Sequence, residues 1–401
     1  MKIIFLAPFG IRPKGTVLAR MIPLAAELQV LGHEVAIIAP PYTNPEDSGR
    51  SELVRGVRLC NIALGPKNKV LAALPMAWRM FRAALAEKPD LVHLFKPKGY
   101  GGLAAMLHIL LQQAGIRLSP LFLDTDDWEG EGGMNDLHHY SALEKRFYRF
   151  QEQWITRRVL GVTVASRGLE QLVADMGVRQ AQVLYLPNCV TDAKLGDGAG
   201  VRAKLGIAPD APVLLLYTRF FEFEQQKLHL VFERIHRRVP GVRLLVVGRG
   251  RAGEEAQLMA AAREMGFADA LVLAGWIEPD QLPDFLAAGD VAIYPFADTL
   301  LNRTKCPAKL TELLLAERAV VADRVGQLAE YLISGHSGIL CQPDDWREMA
   351  EQAVRLLASP EERTMLGRAG RVRLLEKFSW TGAAERLDQF YAGFYAKQAK
   401  L

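Results

Sequence analysis

Two lysines and a glutamate beside an apolar helical segment are the first residues that could do chemistry. Lys305, Lys309 and Glu312 recur at spacings of four and three, which puts them on one face of a helix near its N-terminus. A lysine at a helix start can bind phosphate with help from the helix dipole. A glutamate one turn later can accept hydrogen bonds from vicinal hydroxyls, as acidic side chains do for ribose. Lys309 and Glu312 therefore predict a sugar-nucleotide site, with a solvated first turn as the alternative.

A second charged pair lies just after the apolar run PVLLLYT. Arg219 leaves the end of this expected strand, and Lys227 lies where the next helix is expected to begin. A guanidinium and an ammonium on one loop suit a diphosphate, because the arginine donates bidentate bonds and the lysine acts as a point charge. Either residue alone is more typical of a solvated surface, but the pair at a strand end favours an anion site.

Glycines at two further strand ends would let a ligand approach the backbone. Gly10 and Gly15 bracket a basic loop, and Thr16 is expected to cap the following helix. Gly248 ends another expected strand, in the segment VVGRG. The first loop has neither the G-x-G-x-x-G nor the G-K-[ST] pattern, so the dinucleotide and P-loop motifs are absent there. Plain turns are the alternative at both places.

Composition bounds the class of protein. The chain has 401 residues, of which 50% are hydrophobic and 23% charged, as in ordinary globular proteins. A net charge of +4 is too small to indicate nucleic-acid binding. Four widely spaced cysteines predict reduced thiols and a cytoplasmic protein. The start, MKIIFLAPFG, predicts a buried strand and not a secretory signal, and no apolar stretch reaches the roughly 18 residues of a spanning helix.

Short apolar runs alternate with helical patterns along the whole chain, which predicts an α/β fold with parallel sheets covered on both faces. A segment rich in Gly, Ala, Asp and Pro interrupts the pattern, so we predict two Rossmann-like, doubly wound domains that face each other across a cleft. The predicted parts are a first domain (1–188), a linker (189–211), a second domain (212–380) and a C-terminal helix that returns to the first domain (381–401).

The ordered set of motifs resembles the GT-B glycosyltransferases, and specifically the retaining family 4. The resemblance covers nearly the whole chain. It is carried by the "GT" that ends the first glycine loop and by the segments LGHEVAIIAPP, PDLVHLF, VTVASRGLEQL, LPNCV, YTRF followed by a lysine, VVGRG, LAGWIEPDQL and KLTELLLAERAVVADRVGQLAEYLISGHSGILCQP.

The resemblance implies transfer of a sugar from a nucleotide diphosphate, UDP or GDP, to a hydroxyl of a glycan or lipid-linked acceptor, with retention and without a metal or a permanently bound cofactor. Arg219 and Lys227 would clamp the diphosphate, and Glu312 would bind the ribose. The other implied donor-site residues are Gly15 and Thr16 for the phosphate and Gly248, Arg249 and Ile277 for the base.

Three departures from the family pattern stand out. Thr304 stands eight before Glu312, where relatives carry a glutamate, so Asp298 or Asn302 is expected to substitute at the donor sugar. Arg219 and Lys227 are also three residues further apart than is common, which predicts a bulged loop.

The third departure lies in the strand PDLVHLF. Relatives often carry a histidine two residues after its "VH", where this chain has Phe95. His93 is kept as a catalytic candidate, although it is expected to point to the opposite face of the strand from that position.

The loop DTDDWEGEGGMND is the most polar run of the first domain. We predict that it forms the acceptor-side wall and that Asp126 or Asp127 orients an acceptor hydroxyl. A solvated loop with helix-capping aspartates is one alternative. The second is that Asp124 and Asp126 are the metal-binding D-x-D of the other major glycosyltransferase fold.

The sequence is also compatible with two other functions and with contact with a membrane. A nucleotide-sugar 2-epimerase would have the same architecture, and Thr304 and Phe95 also permit a catalytically weak GT-B-like partner subunit. The basic, apolar segment KNKVLAALPMAWRMFRAALAEK is typical of an interfacial helix, which would bring the protein to the inner face of a membrane. An ordinary packed helix is the alternative.

Overall fold

The structure is a computed structural model that describes residues 1–12 and 15–398. Contacts divide the described chain into two units. The first unit consists of Met1–Cys189, Thr304–Cys306 and Ser379–Leu401, and the second consists of Val190–Arg303 and Pro307–Phe378.

The first unit is built on one twisted sheet. Its strands are β1 (Lys2–Leu6), β2 (Glu34–Ala39), β3 (Ser51–Val54), β4 (Val57–Asn61), β5 (Leu91–Phe95), β6 (Leu121–Thr125), β7 (Gly161–Val164) and β8 (Val183–Tyr185). The spatial order is β3-β4-β2-β1-β5-β6-β7-β8, and all neighbours are parallel except β3 and β4. Every side chain of β5 and β6 is buried, which explains why these strands read as continuous apolar runs.

The helices of this part of the chain are α1 (Ile22–Val30), α2 (Lys69–Ala86), α3 (Gly99–Gln113), α4 (Ala142–Thr156) and α5 (Arg167–Asp175). Helix α3 packs against both α2 and α4. A short π-helical turn, Val17–Met21, leads into α1. None of the helices in the described ranges has the length and apolar character needed to cross a membrane.

Strand β3 is the one strand of this sheet that the sequence analysis missed. It forms a hairpin with β4 through the two-residue turn Arg55–Gly56, in which both residues have positive φ (51° and 81°). Such a turn matches the twist of paired strands, and glycine adopts it without strain. The sequence signal for this hairpin is therefore the dipeptide Arg55–Gly56, which predicts a turn less strongly than Asn-Gly or Asp-Gly does.

A buried ion pair joins three parts of the first unit. Arg20 donates from Nε and Nη2 to the two carboxylate oxygens of Asp124 at 2.8 and 2.6 Å. The same Nη2 donates to the carbonyl of Leu186 at 2.7 Å. Burial alone would lower the pKa of Arg20, but the charge of Asp124 outweighs it and the pKa is raised. Arg20 thus ties the turn before α1 to the end of β6 and to the segment after β8.

The second unit is built on a fully parallel sheet. Its strands are β9 (Val213–Tyr217), β10 (Arg243–Val247), β11 (Leu271–Gly275), β12 (Val291–Tyr294), β13 (Ala319–Asp323) and β14 (Ile339–Cys341). The spatial order is β11-β10-β9-β12-β13-β14, the Rossmann order in which the direction of winding reverses between β9 and β12.

The helices that follow along the chain are α6 (Gly198–Lys204), α7 (Gln225–Arg238), α8 (Glu254–Met265), α9 (Leu282–Ala287), α10 (Leu300–Thr304), α11 (Ala308–Leu315), α12 (Leu328–Tyr331), α13 (Trp346–Leu357) and α14 (Pro360–Lys377). Helices α7 and α13 pack against each other and on the sheet. Leu228, Phe232 and Met349 are buried in the core that they form with β9 and β10. The predicted fold class, two Rossmann-like α/β domains, is confirmed.

The segment predicted as a linker is more ordered than its composition indicated, because it contains α6. Arg202 of this helix donates to the carbonyl of Ala288 at 3.0 Å and pairs with Asp290 at 2.9 Å. These contacts hold α6 on the second unit.

The last helix, α15 (Trp380–Gln398), belongs to the first unit and packs against α1. Its aromatic stripe contacts the sheet, with the ring centroids of Tyr391 and Phe394 at 4.9 and 5.5 Å from that of Phe122. The stripe therefore packs against the domain, as the simpler interpretation of this helix expects.

Loss of one partner of the buried ion pair should strongly destabilise the protein. Arg20→Met leaves the Asp124 carboxylate buried without its counter-charge, so we expect the free energy of unfolding to fall by about 3–5 kcal/mol. Chemical denaturation measures this change. The double variant Arg20→Met/Asp124→Leu should recover much of the loss.

The matched control is Glu34→Gln, which removes an exposed partner of Lys2 and should cost less than about 1 kcal/mol. An Arg20→Met loss no larger than that of Glu34→Gln would show that the pair does not organise the unit.

Candidate active site

The carboxyl ends of the parallel strands in the second unit lie at one edge of the sheet, and most of the predicted donor-site residues follow these ends. Arg219 comes two residues after β9, Gly248 directly follows β10, and Ile277 comes two residues after β11. Asp298 and Asn302 follow β12. Ligands of such sheets bind outside this edge, close to where the strand order reverses.

Arg219 is held by an ordered loop. The N–H of Phe220 donates to Thr218 Oγ1 at 2.8 Å, and Phe220 has a positive φ of 68°. Phe220 and Phe223 are buried with ring centroids 6.3 Å apart. The wide spacing between Arg219 and Lys227 is therefore filled by aromatic packing. The Arg219 side chain is half-buried and makes no hydrogen bond or ion pair within the described ranges.

Lys227 lies in the first turn of α7 and contacts two carboxylates. Its Nζ is 3.4 Å from Asp323 Oδ1 and 3.2 Å from Asp344 Oδ1. Asp323 ends β13, is fully buried, and also accepts from the N–H of Phe296 at 2.8 Å. Burial raises the pKa of Asp323 to about 6, although Lys227 acts in the opposite direction. Asp344, by contrast, is 67% exposed.

Lys309 and Glu312 lie near each other on α11. Glu312 Oε2 accepts from the Tyr217 hydroxyl at 2.9 Å, and Lys309 Nζ donates to Glu222 Oε1 at 3.3 Å. Lys309 Nζ is also 5.8 Å from the centroid of the Tyr217 ring. Burial raises the pKa of Tyr217 and Glu312 raises it further, so the phenol stays a hydrogen-bond donor.

Tyr217 and Glu222 line a small pocket at the end of β9. Lys305 is not part of the helical face that the sequence spacing predicts. Helix α11 begins only at Ala308, and Pro307 precedes it in an extended conformation. The shared face is therefore limited to Lys309 and Glu312.

Gly248 is the position in this edge that requires glycine. Its φ is 119°, and a Cβ atom there would lie 1.9 Å from the Thr218 carbonyl oxygen. The loops after β9 and β10 can approach each other only because of this glycine. Arg249 next to it is exposed, and Ile277 is half-buried.

Asp298 and Asn302, predicted as substitutes for the missing glutamate, have local partners. Asp298 pairs with Arg303 at 2.5 Å, and this bond lowers the pKa of the Asp298 carboxyl. Asn302 is buried and donates to the carbonyls of Glu222 and Ala297 at 2.7 and 2.8 Å. These contacts brace the loop after β12, so a sugar-binding role for either residue stays a prediction.

In the first unit, the predicted acceptor loop is held by a buried lysine. Lys96 follows β5 with a positive φ of 60°, and its Nζ is 2.8 Å from Asp126 Oδ1 and 2.6 Å from Asp127 Oδ2. Burial lowers the pKa of Lys96, but the neighbouring carboxylates outweigh this and raise it well above the ordinary value. Both aspartates are thus fixed in place and not freely solvated.

Thr16, which follows Gly15, reaches the same loop. The Thr16 hydroxyl donates to Asp126 Oδ2 at 3.0 Å and makes no capping bond to its own helix, so the predicted cap is wrong. The Gly15 carbonyl accepts from the N–H of Ala19 at 2.9 Å. Thr16 and Lys96 together orient Asp126.

Further along this loop, Lys98 and two glutamates form a second buried group. Lys98 Nζ is 2.6 Å from Glu129 Oε2, and the N–H of Glu129 donates to Glu152 Oε2 at 3.1 Å. Burial raises the pKa of Glu152 well above its ordinary value, and the charge of Glu129 adds to this. The loop up to Glu129 therefore packs on the interior of the unit, whereas Glu131 further along is exposed.

The D-x-D interpretation of Asp124 and Asp126 is not supported by these contacts. Asp124 is fully buried, and both of its carboxylate oxygens accept hydrogen bonds from Arg20. Asp126 forms an ion pair with Lys96 and accepts a hydrogen bond from Thr16. The two-sheet fold also excludes the single-domain architecture on which that interpretation rests.

His93 lies in the interior of the first sheet. Its Nδ1 is 2.5 Å from the Tyr391 hydroxyl, and burial lowers its pKa to about 3. Its ring centroid is 5.0 Å from that of Phe95, so the expectation that they point to opposite faces is wrong. Residues two apart in a strand share a face. The contact with Tyr391 gives this histidine a packing role in joining α15 to the sheet.

Four residues that contact the predicted site residues were not themselves singled out from the sequence: Tyr217, Glu222, Asp323 and Lys96. Tyr217 and Asp323 end expected strands, so their positions at the edge could have been found. Glu222 and Lys96 could not, because their side-chain directions depend on the turns at Phe220 and at Lys96 itself.

Comparisons with known proteins agree with this architecture. Two parallel Rossmann-like sheets define the class of fold. A family model described as a glycosyl transferase 4-like domain matches residues 15–189, and one described as glycosyl transferases group 1 matches residues 211–359. Together they cover most of the chain. The chain therefore belongs to the GT-B glycosyltransferases of the family 4 type, as the sequence motifs predict.

Relatives of known sequence are named as glycosyltransferases. A glycogen synthase of Mycobacterium tuberculosis is 25% identical over 92% of this chain and 88% of its own length. A D-inositol 3-phosphate glycosyltransferase of Segniliparus rotundus is 32% identical over 49% of this chain and 43% of its own length. The protein is accordingly a hexosyl-type glycosyltransferase that uses nucleotide sugars.

Solved structures share the fold across the whole chain. Sucrose-phosphate synthase from Thermosynechococcus elongatus has a TM-score of 0.78 at 20% identity and covers 99% of this chain and 100% of its own. The Anabaena protein HepE in complex with UDP and glucose has a TM-score of 0.73 at 17% identity and covers 98% of this chain and 100% of its own.

The pair of Asp323 and Lys227 predicts a pH-dependent affinity for a nucleotide sugar. Above pH 6 Asp323 is charged and offsets Lys227, whereas below pH 6 it is neutral and the lysine attracts the diphosphate more strongly. We expect the dissociation constant to fall about three- to tenfold from about pH 7.5 to about pH 5. A nucleotide sugar is the proper ligand, because its phosphates are diesters and lack the ionisation of phosphate monoesters near pH 6.

Calorimetric titration of wild type, Asp323→Asn and Asp344→Asn measures this effect. Asp323→Asn should flatten the profile, while Asp344→Asn should keep it. An unchanged profile in Asp323→Asn would assign the titration to another group.

Proposed function

We propose that the enzyme transfers a hexosyl group from a UDP- or GDP-sugar to a hydroxyl of a glycan or lipid-linked acceptor, with retention and without a metal. The observation that carries the donor half is the placement of Arg219, Lys227, Gly248 and Glu312 around one edge of the six-stranded sheet. The relatives support the same reaction class, since those named above are transferases and HepE was solved with UDP and glucose.

The site must above all stabilise the negative charge that develops on the leaving diphosphate. Departure of the sugar leaves negative charge on the β-phosphate oxygen. In this proposal the guanidinium of Arg219 and the ammonium of Lys227 stabilise that charge, helped by the N-terminus of α7. Cations that are already in place before the reaction reorganise little as the charge develops. The pair thus supports the proposal of metal-independent transfer.

The remaining donor contacts follow from the same edge. Glu312, held by Tyr217, would accept hydrogen bonds from the ribose hydroxyls. Lys309 adds a positive charge near it. Gly248, Arg249 and Ile277 would meet the base, with Gly248 allowing close backbone approach. Gly15 and Thr16 stay candidates for a further contact with the phosphate.

The acceptor half rests on the loop after β6. Asp127 is the better candidate for orienting the acceptor hydroxyl, because Thr16 and Lys96 already hold Asp126, while Asp127 contacts only Lys96 among the side chains that the structure describes. Burial raises the pKa of Asp127. No enzymic nucleophile is required, since the departing phosphate can itself accept the proton of the acceptor.

A 2-epimerase of the same fold is not favoured, because the matched relatives named above are transferases. We also propose that the enzyme works in the cytoplasm. Its four cysteines are widely spaced and form no disulfide, which supports a reducing compartment.

Nucleotide binding should depend on Arg219. Wild type is screened by thermal shift against UDP, GDP, ADP and dTDP and their common sugar conjugates. A ligand at 100 times its dissociation constant should stabilise the fold by roughly 2.7 kcal/mol. Arg219→Ala should lose most of this shift and about 10²-fold in transfer rate, as for removal of one transition-state donor.

The matched control is Arg263→Ala, an exposed arginine of α8 in the same unit. It should bind and turn over as wild type does. If no nucleotide shifts the wild type, or if both variants behave alike, the donor-site assignment fails. Transfer in the presence of EDTA, with the anomeric configuration of the product read by NMR, tests metal independence and retention.

Asp127→Asn tests the acceptor half. It keeps the size of the side chain and leaves Lys96 with Asp126, so we expect an intact fold and an unchanged nucleotide thermal shift. The acceptor-dependent rate should fall by at least about 10²-fold, as for loss of a positioned acid–base group. Glu131→Gln on the same loop is exposed and should have no effect. An unaffected transfer rate in Asp127→Asn would remove this residue from the mechanism.

A further inference from the structure

Two neighbouring helices of the first unit expose large apolar side chains that the fold does not use. In the first half of α2, Val70, Leu71, Leu74 and Trp78 are exposed, with Val70 at 81% and Leu74 at 75%. The spacing of four and seven puts them on one side of the helix. The opposite side carries Met76 and Met80, which are buried.

Helix α4 has a matching exposed stripe. Leu143, Phe147 and Phe150 recur at spacings of four and three, and Leu143 is 78% exposed. The starts of the two helices are near each other. The pKa of Glu144 is lowered mainly by its hydrogen bonds with Ser141, and the charge of Lys69 adds to this shift. We name these exposed residues of the two helices the α2–α4 patch.

The charges around this patch are predominantly positive. Helix α2 contains Lys69, Arg79 and Arg82 and no acidic residue, and Lys67 precedes it. Of these, Arg79 is occupied by the carbonyls of Ala63 and Leu64. The other three side chains are exposed. Exposed basic residues beside exposed leucines and a tryptophan are typical of a surface that lies on anionic lipid.

We propose that the α2–α4 patch docks the first unit on an anionic lipid surface. The apolar side chains would enter the boundary between headgroups and acyl chains, and Lys67, Lys69 and Arg82 would meet the phosphates. Charge favours lipid over a second copy of this chain. A two-fold dimer would place the patch against itself and bring its basic residues together. The surface is separate from the proposed donor site and does not depend on it.

Vesicle binding tests the proposal on the full-length chain. Cosedimentation is measured with phosphatidylcholine vesicles and with equal mixtures of phosphatidylcholine and phosphatidylglycerol. We expect binding to the anionic vesicles, weakened by salt. An apolar variant, Leu71→Ser/Leu74→Ser/Trp78→Ser, and a charge variant, Lys67→Glu/Lys69→Glu/Arg82→Glu, should each lower the partition coefficient by at least about tenfold.

Matched controls change the same chemistry elsewhere. Val30→Ser/Leu53→Ser alters two other highly exposed apolar residues, and Lys194→Glu/Arg263→Glu reverses two exposed charges of the second unit. Both should bind as wild type. Circular dichroism confirms that each variant is folded, and the nucleotide thermal shift keeps this test distinct from that of the donor site.

Three results would overturn the proposal. The first is equal binding to neutral and anionic vesicles, and the second is binding by either patch variant at the wild-type level. The third is light scattering that shows wild-type dimers, abolished by the apolar variant, without vesicle binding. That outcome would assign the patch to self-association.

Discussion

The parallel direction of the strands is the constraint on which the rest of the second unit depends. Because β9 to β13 all run the same way, their carboxyl ends share one edge, and residues far apart in sequence meet there. Arg219 and Asp323 are about a hundred positions apart and still lie at the same edge, because β9 and β13 flank β12. The reversal of strand order between β9 and β12 opens this edge to a ligand.

A second constraint acts in the first unit, where charges are buried. A carboxylate taken out of water needs a counter-charge and hydrogen bonds, or it destabilises the fold. Four acidic groups at the end of β6 and in the loop after it meet this condition through a cation from another element. Arg20 serves Asp124, Lys96 serves Asp126 and Asp127, and Lys98 serves Glu129. The polar loop is therefore rigid, which a positioned acceptor site requires.

The pattern of apolar residues along the chain predicted the features that local sequence determines. Buried parallel strands read as continuous apolar runs, so both sheets and the family could be predicted. Strand β3 was missed because a four-residue edge strand with a single Arg-Gly turn carries little pattern. The partners of Lys227 and Lys96 were missed for another reason. They are set by contacts between elements distant in sequence, and no local pattern encodes them. His93 shows the same limit, since its partner Tyr391 lies on the last helix.

The two carboxylates beside Lys227 differ in a way that bears on ligand entry. An exposed pair such as Lys227 with Asp344 is worth about 0–1 kcal/mol, so an incoming diphosphate can replace it at little cost. Asp323 is different, because the N–H of Phe296 also holds its buried carboxylate in place. In the proposed donor site the lysine would exchange Asp344 for a phosphate, while Asp323 keeps it directed at the edge. One carboxylate would then position the cation and the other would give way to the substrate.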